Sequence, residues 1–265
     1  MRGFPMGPVL LFLALTASSI SATAASDNEI GLGLYEKPEY IGADEQEWVV
    51  LPSFKLHASH FVLTLRGERL LLDFLTSPNI NAGLMVRYDE GRGNDLDDEV
   101  VRLLPTVTAT AELGLFVESG FPVRWLGWDD PTLVIGSANL RDAVGEGHEG
   151  QVLEVAVGLF REFGESTSLT LQYIATRTDT DYNRAYFGVS EADAAATGLA
   201  SFNPNAGLKD TQTRLVLDHE VSPEWTVGLT TSYGRLSDTL SESPVVSSRG
   251  DRTQWTTGIF VNRRL

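Results

Sequence analysis

Apolar and polar residues alternate along most of this chain, and alternation confines it to strands with two unlike faces. From Gln151 to Phe163, Leu153, Val155, Val157 and Leu159 fall on odd positions, against Glu154, Ala156, Gly158 and Glu162. Trp225, Val227, Leu229 and Tyr233 likewise oppose Thr226, Gly228, Thr230 and Ser232. Near the C-terminus, Trp255, Ile259 and Val261 oppose Gln254, Gly258 and Asn262. A side-chain period of two belongs to a strand, since a helix would repeat every 3.6 residues. The longest run keeps Val101, Leu103, Val107, Ala109, Leu113, Leu115 and Val117 on one parity. It predicts a single strand over 100–121, protruding past a bilayer or broken near Gly114, because a tilted membrane strand needs only about ten residues.

Turn signals divide the chain into twelve such strands, near 29–35, 46–57, 60–66, 69–75, 80–88, 100–121, 131–141, 150–163, 168–178, 210–221, 224–236 and 252–264. The uncertainty of turn reading gives a range of about 10–14. The connections differ by side. "TSPN" at 76–79, "FGEST" at 163–167 and "VSPE" at 221–224 are tight, whereas 89–99, 141–149, 179–209 and 237–251 are long and acidic. With the N-terminus in the periplasm, every long loop falls outside and every tight turn inside except Gly67-Glu68. Short turns on one rim and long loops on the other describe an outer-membrane barrel.

Period two alone does not say which face is apolar-out. Arg87, Arg102, Glu112, Glu154, Arg214 and Asp218 on the small face suit a wet, salt-bridged lumen. Tyr35, Trp48, Tyr88, Tyr233 and Trp255 gather near the long loops, and Phe121, Trp125, Phe163 and Trp225 near the short turns, as two aromatic girdles would. The chain has no cysteine, so closure of the sheet must supply the stability that disulfides give smaller exported domains. The expected fold is all-β, an antiparallel transmembrane β-barrel of about twelve strands with a long, partly helical extracellular loop. Residues 1–24, with the apolar run Val9 to Leu15 and a small-residue site ending at Ala24, read as a secretory signal peptide. Residues 25–265 then form one outer-membrane domain.

The stretch "AYFGVSEADAAATGLASFNPNAGLKD" does not alternate. Ser190 is placed to cap a helix over Glu191–Thr197, with Asp193 at its third position and Gly198 at its left-handed end. The loop is expected to fold into or across the barrel mouth, with Tyr186 and Phe187 as its apolar anchor.

Site chemistry is sparse. His57-x-x-His60 has metal-like spacing but no adjacent carboxylate or third ligand. The acid run at 94–99 lacks the ordered spacing of a calcium loop, and solvated charge or cation-bridged lipopolysaccharide contact is preferred. Glu112, Glu118 and Glu154 could pair for acid–base work, but the nearby arginines favour a structural network. No histidine sits where a Ser-His pair would serve a lipid-cleaving site. The net charge of −16 excludes a nucleic-acid partner. The expectation is a non-enzyme with no cofactor and no metal.

The block Tyr186, Phe187, Gly188, Val189, Ser190, Gly198 and Leu199, followed by Gly207, Leu208, Lys209 and Asp210, resembles the signature of the MltA-interacting protein (MipA)/OmpV family of outer-membrane proteins. "GLGLYEKPEYIGA" at 31–43, "YDEGRGNDLDDE" at 88–99 and "YGRLSDTLSESPVV" at 233–246 resemble further family segments, so the likeness runs through nearly the whole mature chain. Thr197 stands where the family more often has Ser, and the chain ends in Leu265 where members tend to have an aromatic. The resemblance implies a structural scaffold linking a membrane-bound murein transglycosylase with a murein synthase. Its periplasmic contacts would be His57, His60, Trp125, Trp128 and Trp225, although a girdle role is preferred for Trp125 and Trp128. A porin or small-solute channel is the alternative, and a surface adhesin or antigen a third reading. Outer-membrane lipid and lipopolysaccharide are the surrounding partners.

Overall fold

A computed structural model describes residues 28–75, 77, 79–123 and 132–265. The signal-peptide region and Trp125 and Trp128 lie outside the described residues. The strands are β1 Glu29–Pro38, β2 Gln46–His57, β3 Val62–Arg66, β4 Arg69–Asp73, β5 Ile80–Asp89, β6 Thr110–Pro122, β7 Thr132–Val144, β8 Gln151–Phe163, β9 Thr167–Thr178, β10 Gly207–Ser222, β11 Trp225–Leu236 and β12 Thr253–Arg264. Each pairs antiparallel with its sequence neighbours, and β12 returns to β1 through pairs such as Gly33–Phe260 and Leu34–Ile259. Closure leaves no strand at a free end of the sheet.

The alternation resolves as apolar-out. On β6, Leu113, Leu115 and Val117 are exposed, while Glu112 and Phe116 between them are buried inside. Leu153, Val155 and Val157 face out on β8, and Val152, Glu154 and Ala156 face in. Trp48, Tyr88, Tyr233 and Trp255 are exposed on the outer face, as are Phe163 and Trp225 near the tight turns and Phe121 at the end of β6. Tyr35 departs from the expected girdle. It points into the lumen, its ring lying over Gly33 and Gly258, where an added Cβ would sit only 2.4 and 2.2 Å from ring atoms.

The run 100–121 is not one strand. Val101–Leu103 forms a 3₁₀ turn, and the strand begins at Thr110. Burial there falls on Val101, Leu104 and Val107, a spacing of three, while Leu103 is exposed. Pro105 has no N–H for a ladder, and the chain returns to a single bridge between Arg92 and Val107. Gly114 is no break, for it pairs with both Met85 and Arg141 inside a continuous strand. Arg102, expected in the lumen, lies in this external loop beside Glu99 at 3.8 Å. At its other end the signature block runs into the sheet, since β10 starts at Gly207 rather than at 210.

Candidate functional site

The long loops fold inward and cap the barrel. α1 (Thr180–Phe187) begins at Asp179, whose carboxylate accepts from Tyr182 N, and it buries Tyr182, Asn183, Tyr186 and Phe187. That spacing is one helical stripe turned toward the barrel. α2 (Glu191–Thr197) has a capping box between Ser190 and Asp193 and ends at Gly198 in the left-handed region, φ 75°. The last loop supplies α3 (Asp238–Ser241) and α4 (Pro244–Ser247), capped by Ser237 and Ser243. Tyr182, Tyr186 and Phe187 pack with Val107, Val152, Leu236, Leu240 and Val246. A second cluster joins Tyr40, Leu96, Val101, Leu104, Val189 and Val245, with Ala194 and Leu199 of the signature packed against it.

Polar contacts tie the loops of this plug to one another and, through Thr178, to β9. Buried Arg92 donates to the carbonyls of Tyr186 (2.7 Å), Pro105 (3.1 Å) and Ala185 (3.4 Å). Ser243 Oγ donates to Phe187 O at 2.7 Å. Thr178 Oγ1 donates to Asn183 Oδ1 at 2.6 Å, and Asn183 Nδ2 to Asn205 O at 2.7 Å. Asp98 accepts from Val100 N and Val101 N and binds Arg249 at 2.7 Å. Burial pushes its carboxyl up, but those donors and the guanidinium overcome that and hold it below its ordinary value.

Beneath the plug lies a lattice of ion pairs. Arg69 meets Glu154 through two bonds of 2.7 Å. Arg141 Nε donates to Glu112 at 2.7 Å, and Arg87 spans Glu68 (3.3 Å), Asp89 (3.2 Å) and Glu112 (3.4 Å). His148, held between Gly147 (φ 135°) and Glu149 (φ 52°), drops in from the β7–β8 loop. Its Nδ1 accepts from Gly150 N at 3.0 Å, which leaves the proton on Nε2 to face Glu112 Oε1 at 3.1 Å. Tyr186 Oη donates to Asp89. Burial raises the Tyr182 phenol to about 12, and burial with anionic Asp89 nearby raises that of Tyr186 further.

Asp89, Glu112 and His148 bring ligand atoms within 4.8 Å of one another, the arrangement of a metal site. The donor set does not fit a cation. Two guanidiniums already neutralise Glu112, and both His148 nitrogens are engaged. Glu112 and Glu154 are thus each held in ion pairs with arginine. Thr167 Oγ1 lies 2.9 Å from His219 Nδ1, but that pair is exposed at the periplasmic rim.

The site residues inferred from sequence separate into two groups at opposite ends of the barrel. Tyr186, Phe187 and Val189 are buried in the plug, and Val189 bridges to Phe202. Gly188 lies so close to the last turn of α1 that a Cβ would meet Arg184 O at 2.4 Å. Of the strand part, Leu208 faces out, Lys209 reaches in over the Tyr182 ring at 5.7 Å, and Asp210 pairs with Lys209 at 2.9 Å. His57 and His60 are exposed beside the β2–β3 turn. Trp225 is on the outer face, with Arg263 5.5 Å from its ring, as a girdle residue would be. The sequence reading missed His148 and Arg92, and only a lone histidine in "GEGHEG" hinted at the first. Between plug and periplasm the lumen holds a cavity of about 990 Å³, roofed by Tyr182 and Lys209. Its wall carries seven basic side chains and four acidic ones, Glu68, Glu118, Glu154 and Asp218, and six of the seven basic groups already have carboxylate partners.

Residues 30–265 match the family model described as MltA-interacting protein MipA. The outer membrane protein OmpV of Vibrio cholerae is 32% identical over 242 residues, covering 87% of this chain and 83% of that protein. Omp26La of Vibrio anguillarum is 33% identical over 87 residues, which is 31% of this chain and 30% of that protein. The MltA-interacting protein of Escherichia coli is 36% identical over 64 residues, 24% of this chain and 25% of its own length. Among solved structures, the NanC porin superposes with a TM-score of 0.43 at 10% identity, covering 90% of this chain and all of that one (100%).

Proposed function

This chain belongs to the MltA-interacting protein MipA family, outer-membrane β-barrels, and on that premise we propose that it is an anchor and not a catalyst. Its periplasmic rim holds a murein-remodelling partner. The observation that carries this reading is the lumen. The barrel spends residues of five loops, two hydrophobic clusters and a charge lattice on closing its extracellular mouth. That investment suits a rigid membrane post better than a general pore. The family resemblance implies a murein transglycosylase and a murein synthase as the partners, and one relative is named for such an interaction. His57, His60 and Val221 are exposed on the rim and available to either. Lipid surrounds the apolar belt, and lipopolysaccharide meets the outer loops, bridged by cations at exposed Asp95, Asp97 and Glu99.

In-cell photocrosslinking from His60 and Val221 tests the reading. Murein synthases or lytic transglycosylases should be recovered. Recovery of assembly factors alone would remove the scaffold role. The channel alternative draws on the charged cavity, and conductance decides it.

A further inference from the structure

The lumen below the plug is layered in a way that selects a ligand. Arg69 and Arg87 are direct partners across β4 and β5. Two residues toward the periplasm, Leu71 and Met85 are the next inward-facing partners, and Phe116 joins them in one buried cluster. A cationic layer thus sits directly on an apolar one, in a compartment where outer-membrane barrels usually keep polar side chains. Two inward-facing rings lie flat on the wall. A Cβ at Gly228 would come within 2.0 Å of the Phe260 ring, and Gly33 and Gly258 seat Tyr35 in the same way. The cavity stays hollow as a result.

The charges narrow the class of ligand. Arg69 is satisfied by Glu154, and Arg87 by Glu68, Asp89 and Glu112. Arg214 enters the same layer from β10, where Arg69 and Glu154 are the charges acting on it. It makes no hydrogen bond or ion pair with any of the described residues. An inorganic anion would satisfy Arg214 and waste the apolar layer, and a neutral hydrocarbon would do the reverse. Only a molecule with both parts matches both layers. From Arg87 to Asn81 the cavity follows about 20 Å of strand, which gives a chain room to extend. Its volume of about 990 Å³ lies at the upper end of the range for small-molecule sites.

We propose that the lumen binds a single-chain amphipathic anion, a long-chain carboxylate. Its head group pairs with Arg214, and its tail lies against Leu71, Met85 and Phe116. The test uses the full-length barrel in lipid nanodiscs, titrated with dodecanoate carrying a ¹³C carboxyl and followed by NMR. Dodecanol and butyrate serve as the two half-ligands. Dodecanoate should bind at least tenfold more tightly than either, because a hydrogen bond to a charged partner carries about that factor. Arg214→Gln should lose at least tenfold for dodecanoate and nothing for dodecanol, and Arg214→Lys should stay within a few-fold of the parent. Equal binding of dodecanoate and dodecanol would overturn the proposal, as would unchanged affinity in Arg214→Gln or an identical signal from empty nanodiscs. Should Arg214→Gln fail to assemble, the half-ligand comparison on the parent barrel and Arg214→Lys decide the matter alone.

Discussion

Truncating Phe187 to alanine should release the plug while leaving the barrel standing. Phe187 is fully buried, at 0% exposure, among Tyr182, Tyr186, Leu236, Leu240 and Val246. It belongs to no strand, so the twelve-strand ladder does not depend on it. Removing a buried phenyl ring costs about 3–5 kcal/mol when the site cannot collapse. Here the rigid barrel wall limits collapse, since Val107 and Val152 on the facing side are held in the loop bridge and in β8. That cost shifts the docked–undocked balance by roughly two to three and a half powers of ten. Cleavage tracks the open population when reclosing outpaces the protease. Full-length protein in vesicles, digested from the extracellular side and mapped by mass spectrometry, should be cut within 188–206 faster by about that factor. Ser190→Ala removes only the cap of the exposed α2 and should change cleavage about fivefold. A Phe187→Ala change of less than fivefold would refute the docking energetics. Cleavage spread into the strands would refute the independence of plug and wall.

Two further expectations concern charge. Arg69→Met leaves Glu154 without its bidentate partner and should destabilise the barrel by about 2–4 kcal/mol in denaturant titration, somewhat below the full-burial value because the lumen is partly wet. The double variant Arg69→Met, Glu154→Met should recover most of that loss. Asp98 has a carboxyl lowered in the folded loop, so its contribution is complete above the ordinary aspartate value of about 4 and disappears as pH falls through the lowered one. Protection of the Val100 and Val101 amides, relative to their intrinsic exchange rates, should hold from pH 5 to 7 and fall below pH ~4, and Asp98→Asn should show the low protection at neutral pH.

The wall of this protein was legible in its sequence because most of its strands obey one period, β4 with its run Leu70, Leu71 and Leu72 being an exception. Leu153, Val155 and Val157 could face lipid only if Glu154 and Ala156 faced the lumen, and they do. The α2 cap was legible for a similar reason, since Ser190, Asp193 and Gly198 act within seven residues of one another. What escaped was long-range. Val101, Leu103 and Val107 share a parity, yet burial selects Val101 and Leu104, which pack with Tyr40 and Val189, and Val107, which packs with Tyr186 and Phe187, because the loop folds over the barrel instead of pairing in the sheet. His148 reaches Glu112 across 36 residues, and Arg92 reaches Tyr186 across 94. Spacing along a chain carries no record of such meetings. Glu112, Glu118 and Glu154 meet arginines as expected, whereas Arg214 has no ion pair among the described residues and Arg102, placed in the lumen by parity alone, lies in a loop.

The most direct test of a barrel closed by its own loops is current through a planar bilayer. The parent protein should show no stepwise conductance above the lipid baseline, and a variant with 181–205 replaced by a short Gly-Ser linker should conduct. Open channels of similar size in both would contradict the account, because the plug would then close nothing.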